Sequence, residues 1–172
     1  MGDDINEVQI LTPSKRSVCS INKHIKVALY KWGETGFNNG EKVVCTKNNL
    51  EASIFNGDIG VLIEKDENYN LEMGGECVRV SMDEIETAYG ITVHKSQGSE
   101  YETVILYLNR SHGRLLNNKL LYTAVTRAKK KLYIITSKTS LIKAIETKSP
   151  LRVSLLENLI RQSSEGGKGA TR

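Results

Sequence analysis

The sequence predicts an α/β fold in which a parallel sheet flanked by helices is interrupted by a small β-rich insertion. Two continuous apolar runs, residues 103–108 and 131–136, are typical of buried strands in a parallel sheet, and a helical pattern lies between them. The segment from residue 41 to residue 86 instead holds short β-rich runs separated by turn signals. Asn56-Gly57 and Gly74-Gly75 are hairpin signals because these residues tolerate positive φ. At least four such runs in about 45 residues favour a small β-barrel.

The remaining elements follow from local patterns. Residues 8–12 form an apolar run that ends at Pro13, which indicates a short buried strand. Within residues 20–29, apolar side chains recur at helical spacing and predict an amphipathic helix. The other predicted elements of this α/β part are a strand end at residues 91–94, buried strands at 103–108 and 131–136, and helices at 118–128, 139–147 and 150–162, with a disordered tail thereafter.

Composition excludes several classes of protein. Hydrophobic residues make up 39% of the chain and charged residues 26%, which is ordinary for a globular protein. No apolar run approaches the roughly 20 residues that cross a bilayer, and the acidic N-terminus has no apolar core like that of a secretory signal. The three cysteines are far apart and odd in number, which argues against a disulfide framework or a zinc site. We therefore expect a cytoplasmic protein with no metal site of its own.

The charge is distributed unevenly along the chain. Residues 1–87 carry a net charge of −6, whereas residues 88–148 carry +8. A basic half of this kind is compatible with a polyanionic partner, and equally with a basic surface that only aids solubility. Charge alone does not decide between the two.

A polar cluster follows the strand predicted to end near residue 94. Thr92, His94 and Ser96 carry groups that can donate hydrogen bonds to phosphate oxygens, and Gly98 lets the backbone approach a ligand closely. Polar groups at the carboxyl end of a parallel strand lie where ligands bind. Taken alone, the cluster is also compatible with an ordinary polar loop.

A second candidate lies at the end of the helix predicted over residues 118–128. Arg127 projects away from the apolar face of this helix. An arginine that reaches the γ-phosphate of a nucleotide stabilises the charge of the phosphoryl-transfer transition state. The alternative is that Arg127 belongs, with Lys129, Lys130 and Lys131, to a basic cluster that stabilises the helix C-terminus.

Together these segments resemble the RecD-type superfamily 1 DNA helicases, the family of the exodeoxyribonuclease V alpha subunit. Residues 88–100 are similar to helicase motif V and residues 121–129 to motif VI, in the order and spacing of that family. Leu11-Thr12-Pro13-Ser14-Lys15-Arg16, followed by Ile21-Asn22, is similar to the motif IV region. Residues 37–43 and 48–60 resemble the entry into the SH3-like barrel of the family. The resemblance covers about residues 8–147.

The resemblance implies a fold and a division into domains. Residues 1–40 and 87–148 would form a RecA-like second motor domain, interrupted by an SH3-like insertion at residues 41–86 that helps to grip the emerging strand. Residues 149–172 would form a C-terminal helix and a tail.

The resemblance also implies site residues. Arg127 would be the arginine finger, Lys15 or Arg16 the basic residue of motif IV near the γ-phosphate, and Gly98 and Glu100 neighbours of the nucleotide. The residues that would contact single-stranded DNA, or couple it to the nucleotide, are Thr92, His94, Lys95, Ser96 and Gln97. Ser17-Val18-Cys19 replaces the usual glycines after the basic pair, which leaves the choice between Lys15 and Arg16 open.

The resemblance implies ATP and Mg²⁺ as cofactors and 5′–3′ movement on single-stranded DNA, in a protein of DNA repair and recombination. No Gly-x-x-x-x-Gly-Lys-Ser/Thr occurs in the sequence, so the P-loop that cradles the phosphates is missing. We expect the C-terminal half of a helicase, inactive alone. Its partners would be single-stranded DNA, the P-loop motor domain of the same protein and other subunits of a nuclease–helicase complex. The alternative is a non-catalytic single-stranded nucleic-acid-binding module that kept the helicase fold.

Overall fold

The computed structural model describes residues 5–30, 36–50, 52–65 and 68–149. The helix and tail predicted after residue 149 lie outside these residues. Two 3₁₀ segments, Met82–Glu84 and Arg110–Leu115, accompany twelve regular elements within the described ranges. The regular elements are β1 (Val8–Thr12), α1 (Lys15–Tyr30), β2 (Lys42–Cys45), β3 (Ile59–Lys65), β4 (Asn68–Met73), β5 (Glu76–Arg79), β6 (Ile85–Thr87), β7 (Gly90–Thr92), β8 (Tyr101–Tyr107), α2 (Asn118–Val125), β9 (Ala128–Ile135) and α3 (Lys138–Glu146).

The first sheet is parallel throughout, with strand order β7-β1-β8-β9. Leu11 of β1 and Leu106 of β8 are paired in register and fully buried, because residues of α2 and α3 pack in the same core. Gly90 of β7 lies against Ile21 of α1. The predicted α/β class with a parallel sheet is therefore confirmed.

Three local predictions were inaccurate at their boundaries or in burial. Helix α1 begins at Lys15, five residues before the predicted start, because the hydroxyl of Ser14 accepts a hydrogen bond from the Ser17 amide and caps the first turn. Helix α2 ends at Val125, so Arg127 lies after the helix. Strand β9 was predicted to be buried but is an edge strand, and Tyr133 and Ile135 are more than half exposed.

The second sheet is antiparallel, with strand order β5-β4-β3-β2-β6. Gly74 and Gly75 form the predicted two-residue turn between β4 and β5, with φ of 59° and 89°. The edge strands β5 and β6 are not paired with each other, so the hydrogen bonding gives an open sheet and does not show the predicted closed barrel. Strand β2 belongs to both cores, since Val44 packs with the parallel sheet and Val43 with the antiparallel one.

Neither a membrane-crossing helix nor a metal-ligand cluster occurs in the described residues. No helix there combines the length and the apolar character that a bilayer requires. No three His, Cys, Asp or Glu side chains in the same ranges come together in a way that would hold a metal ion.

Candidate nucleic-acid and nucleotide site

The parallel sheet places the candidate residues at two opposite edges. Because all four strands run in the same direction, their carboxyl ends share one edge and their amino ends the other. The turn after β7 and the first turn of α1 both lie at the carboxyl edge. Arg127 immediately precedes β9 and therefore lies at the amino edge.

The turn of residues 93–98 begins at the carboxyl edge after β7, leads back toward the start of β8, and is built by its own polar groups. The Lys95 amide donates to the hydroxyl of Thr92 at 3.1 Å, and the Ser96 amide donates to the Thr92 carbonyl at 3.1 Å. The hydroxyl of Ser96 donates to the Val93 carbonyl at 2.8 Å. Gly98 ends the turn with φ of +91°, a conformation that L-residues with a side chain rarely adopt.

These bonds divide the five predicted DNA contacts into two groups. Ser96 is completely buried and its hydroxyl is occupied, so its side chain holds the turn and has no surface for a direct contact. Thr92 is half-buried, and its hydroxyl oxygen caps the turn. His94 and Gln97 are exposed and Lys95 is half-exposed, so these side chains are accessible to a ligand.

Lys15 and Arg16 open α1 directly beyond the carboxyl end of β1, and both are exposed. Arg16 lines a groove between α1 and the 3₁₀ segment, together with Ser14, Ser17, Ser20, Asn109 and Ser111. A helix N-terminus carries partial positive charge, so these two cations lie where an anion is favoured. They share this edge with the 93–98 turn.

Arg127 links the motif VI segment to the end of the motif V segment at the amino edge. Its Nε donates to the Thr123 carbonyl at 3.1 Å, and Nη1 donates to the Ser99 carbonyl at 3.0 Å. Nη2 donates to the Thr126 hydroxyl at 3.2 Å. A guanidinium has five N–H donors, so two stay available for a further acceptor such as a phosphate oxygen.

Three further residues lie close to Arg127 at this edge. Gly98 and Glu100 are exposed and flank Ser99, whose carbonyl accepts from Arg127. Tyr101 follows, and its amide donates to the Arg127 carbonyl at 2.8 Å. Burial raises the pKa of the Tyr101 phenol, while a hydrogen bond to Ser99 and the charge of Arg127 oppose this rise.

The structure thus brings Arg127, Gly98 and Glu100 together and keeps Lys15 and Arg16 apart from them. Strand β8 has seven residues and lies between β1 and β9, so the two edges are about 20 Å apart. The grouping of Lys15 or Arg16 with Arg127 as one nucleotide site stays a prediction, although these residues adjoin opposite ends of the parallel strands. The spacing of the motifs in the sequence did not reveal the distance between Arg127 and the pair Lys15 and Arg16. That distance depends on which end of a strand each residue adjoins.

Sequence reasoning missed three residues of the carboxyl edge. Arg110 and Arg114 are exposed on the 3₁₀ segment that follows β8, and His112 between them is 2% exposed. No Asp or Glu occurs from residue 103 to residue 145. This absence of acidic residues is the sequence signal that could have marked Arg110 and Arg114 as part of a basic surface. No sequence pattern indicated that His112 would be buried.

The buried His112 predicts a specific dependence of stability on pH. Burial lowers its pKa below the usual 6.5, so the unfolded chain binds this proton at a higher pH than the folded chain does. The free energy of unfolding should therefore fall as the pH drops below about 6.5, by at most about 1.4 kcal/mol per pH unit from this group. Thermal unfolding between about pH 7 and pH 5 should show a steeper loss of Tm in the wild type than in His112→Gln. Parallel curves would show that His112 is not held neutral in the fold.

Comparison with known proteins first shows the class of protein that the chain resembles. Residues 87–135 match the UvrD-like helicase C-terminal domain family. The Bacteroides Pif1 helicase in complex with ADP-AlF3 and single-stranded DNA has the same fold, with a TM-score of 0.66 over 100% of this chain and 48% of that chain, at 16% identity. The chain therefore has the fold of this helicase half, and its residues 87–135 are similar to a helicase C-terminal domain.

Two relatives show which helicases the chain is similar to. The chain is 31% identical over 167 residues to the ATP-dependent RecD2 DNA helicase of Deinococcus radiodurans, which covers 88% of this chain and 23% of that protein. It is also 31% identical over 168 residues to the RecBCD enzyme subunit RecD of Haemophilus influenzae, covering 90% of this chain and 26% of that subunit. The predicted resemblance to the RecD-type helicases is confirmed. The chain spans about a quarter of the length of these relatives.

Proposed function

We propose that this chain is the C-terminal half of an ATP-dependent 5′–3′ DNA helicase or translocase. The observation that carries the proposal is the hydrogen bond from Arg127 to the Ser99 carbonyl, which joins the motif VI segment to the end of the motif V segment. Earlier in the same motif V segment, an accessible polar turn starts at the carboxyl end of β7. One short segment therefore connects a candidate nucleotide contact to a candidate DNA contact, which is the connection that a motor needs.

The nucleotide contacts of the proposal lie at the amino edge. Arg127 would act as the arginine finger, with Gly98 and Glu100 beside the nucleotide. ATP and Mg²⁺ would be held mainly by a P-loop motor domain of the same protein, since this sequence has no P-loop. The chain alone would therefore be inactive as an ATPase.

The DNA contacts of the proposal lie at the carboxyl edge. His94, Lys95 and Gln97 on the turn would contact the backbone of a single strand, with Thr92 and Ser96 holding the turn in shape. Lys15 and Arg16 belong to this edge by position, so we assign them to DNA phosphates in place of the γ-phosphate.

The remaining parts of the proposal concern domains and partners. Residues 1–40 and 87–148 would form the RecA-like motor domain, and the antiparallel sheet within residues 41–86 would be an SH3-like insertion that grips the emerging strand. The relatives include subunits of the RecBCD enzyme. Other subunits of a nuclease–helicase complex, acting in repair and recombination, are accordingly candidate partners.

The first test is the salt dependence of binding to a single-stranded oligonucleotide. We expect fluorescence anisotropy with an oligo-dT probe to show weak binding whose affinity falls as salt rises. For single strands, each phosphate contact contributes about 0.7 to the slope of log K against log salt. Lys15→Ala or Arg16→Ala should lower the slope by about that amount, and the larger effect identifies the main contact. Lys23→Ala, an exposed cation two turns further along α1, is the matched control.

The second test separates a motor from a binding module. ATP hydrolysis should be absent in this chain and present, with stimulation by single-stranded DNA, when the chain is joined to a RecD-type P-loop motor domain. Salt-sensitive DNA binding without any hydrolysis by the joined protein would favour the non-catalytic module. Hydrolysis by the chain alone, or DNA affinity that salt does not change, would contradict the proposal.

A further inference from the structure

We infer that His112 is a positioning residue, which fixes the first turn of α1 so that Lys15 and Arg16 face single-stranded DNA. The inference rests on the proposed function, because it concerns the same carboxyl edge. His112 belongs to the connection between β8 and α2, whereas Lys15 and Arg16 follow β1. Its imidazole ring therefore joins two segments that are remote in sequence.

The hydrogen bonds of His112 define its tautomer. The Asn109 amide donates to Nδ1 at 3.1 Å, so Nδ1 carries no proton and a neutral ring has its proton on Nε2. Nε2 then donates to the hydroxyl of Ser17 at 2.8 Å, and the hydroxyl of Thr12 lies 3.4 Å from the same nitrogen. One ring thus connects the end of β1, the first turn of α1 and the segment after β8.

The network continues to the residue that caps α1. The Ser14 hydroxyl donates to the Ser17 hydroxyl at 3.1 Å, and the Ser17 amide donates back to Ser14 at 3.2 Å. Lys15 and Arg16 are the two residues between these serines. Because His112 holds Ser17, it limits the motion of the backbone that carries both cations.

The surroundings of His112 favour the neutral ring. Tyr107 packs edge-on against it with ring centroids 5.9 Å apart, and Arg110 and Arg114 are the charged neighbours on its own segment. On α1 the charged neighbours are again cations, Lys15 and Arg16, and β1 offers only the Thr12 hydroxyl. No carboxylate bonds to the ring in the described part of the chain. A proton on Nδ1 would break the bond from Asn109.

The test compares His112→Phe with His112→Gln in the oligo-dT binding assay near pH 7.5. Phenylalanine fills the space but neither accepts from Asn109 nor donates to Ser17, whereas a glutamine side chain offers both an acceptor and a donor. We expect His112→Phe to weaken binding about 5-fold or more, in line with the loss of one buried hydrogen bond, and His112→Gln to stay near the wild type. The salt slope should also drop in His112→Phe, because one or both cations no longer contact a phosphate.

A double-mutant cycle separates positioning from a general loss of stability. In the Lys15→Ala/Arg16→Ala background, His112→Phe should have little further effect on affinity or salt slope. Leu62→Ala, in the core of the other sheet, destabilises the fold without touching this edge and should leave the salt slope unchanged. Binding by His112→Phe that equals the wild type, or effects that add fully to those of Lys15 and Arg16, would overturn the inference. Absence of any binding in the wild type would instead overturn the proposed function.

Discussion

Replacing Arg127 by alanine is expected to reduce ATP hydrolysis by the joined motor by roughly 10³- to 10⁵-fold. The guanidinium is already oriented by three acceptors, the Thr123 carbonyl, the Ser99 carbonyl and the Thr126 hydroxyl, so little reorganisation is needed when a phosphate arrives. In the proposed role, the two remaining N–H donors would stabilise the charge that develops on the transferring phosphoryl group. Steady-state ATPase measurements at saturating ATP and oligo-dT check this expectation.

Arg127 also has a structural role, so the measurement needs controls. The alanine variant loses three hydrogen bonds, and a local loosening would affect more than catalysis. Binding of oligo-dT should nevertheless fall far less than hydrolysis, because Lys15 and Arg16 lie about 20 Å from Arg127 and the 93–98 turn is closed by its own hydrogen bonds. Lys129→Ala removes an exposed charge two residues further along the chain and should leave hydrolysis unchanged.

Arg127→Lys separates the effect of the positive charge from that of the planar guanidinium. Lysine keeps the charge but cannot span the Thr123 and Ser99 carbonyls with a planar fork, so it should recover only a small part of the activity. Hydrolysis by Arg127→Ala within about 10-fold of the wild type would contradict the arginine-finger role. Equal losses in DNA binding and in hydrolysis would show that Arg127 acts through the fold alone.

The sequence predicted most elements of the fold because their patterns are local. The apolar runs at β1 and β8 and the Gly74-Gly75 turn all carry their signal within a few residues. The exposure of β9 was not predictable in this way, because an apolar run does not tell whether a strand is central or at an edge. Barrel closure likewise depends on whether the edge strands β5 and β6 pair with each other, which the pattern within each strand does not indicate.

The residues of the candidate site stay a prediction from the sequence, whereas their arrangement in space is given by the fold. Motif resemblance selected Arg127, Gly98 and Glu100, which do lie together, and it also placed Lys15 or Arg16 near the γ-phosphate. The register of the parallel strands puts those two cations at the other edge. The role of Ser96 could not be judged from its residue type either, since a hydroxyl serves equally in a turn and in a phosphate contact.

Replacing Glu41 by alanine is expected to cost about 3–5 kcal/mol of the free energy of unfolding. Its carboxylate is fully buried and pairs with the Lys26 ammonium of α1 at 3.0 Å. It also accepts from the amide and side chain of Asn38, each at 3.0 Å, and from the Thr87 hydroxyl of β6 at 2.5 Å. Loss of the carboxylate leaves these donors without their acceptor, at the place where α1 meets the antiparallel sheet.

The Glu41 prediction is checked by urea denaturation of the chain at neutral pH. Glu86→Ala is the matched control, because Glu86 lies on the same strand as Thr87 but is exposed, and its loss should change the free energy by no more than about 0.5 kcal/mol. If Glu41→Ala does not fold, Glu41→Gln should still fold with an intermediate loss, since the amide keeps the volume and one acceptor. A loss below about 1 kcal/mol for Glu41→Ala would show that water replaces the carboxylate. The contact of Lys26 with Glu41 would then contribute little to the stability of the fold.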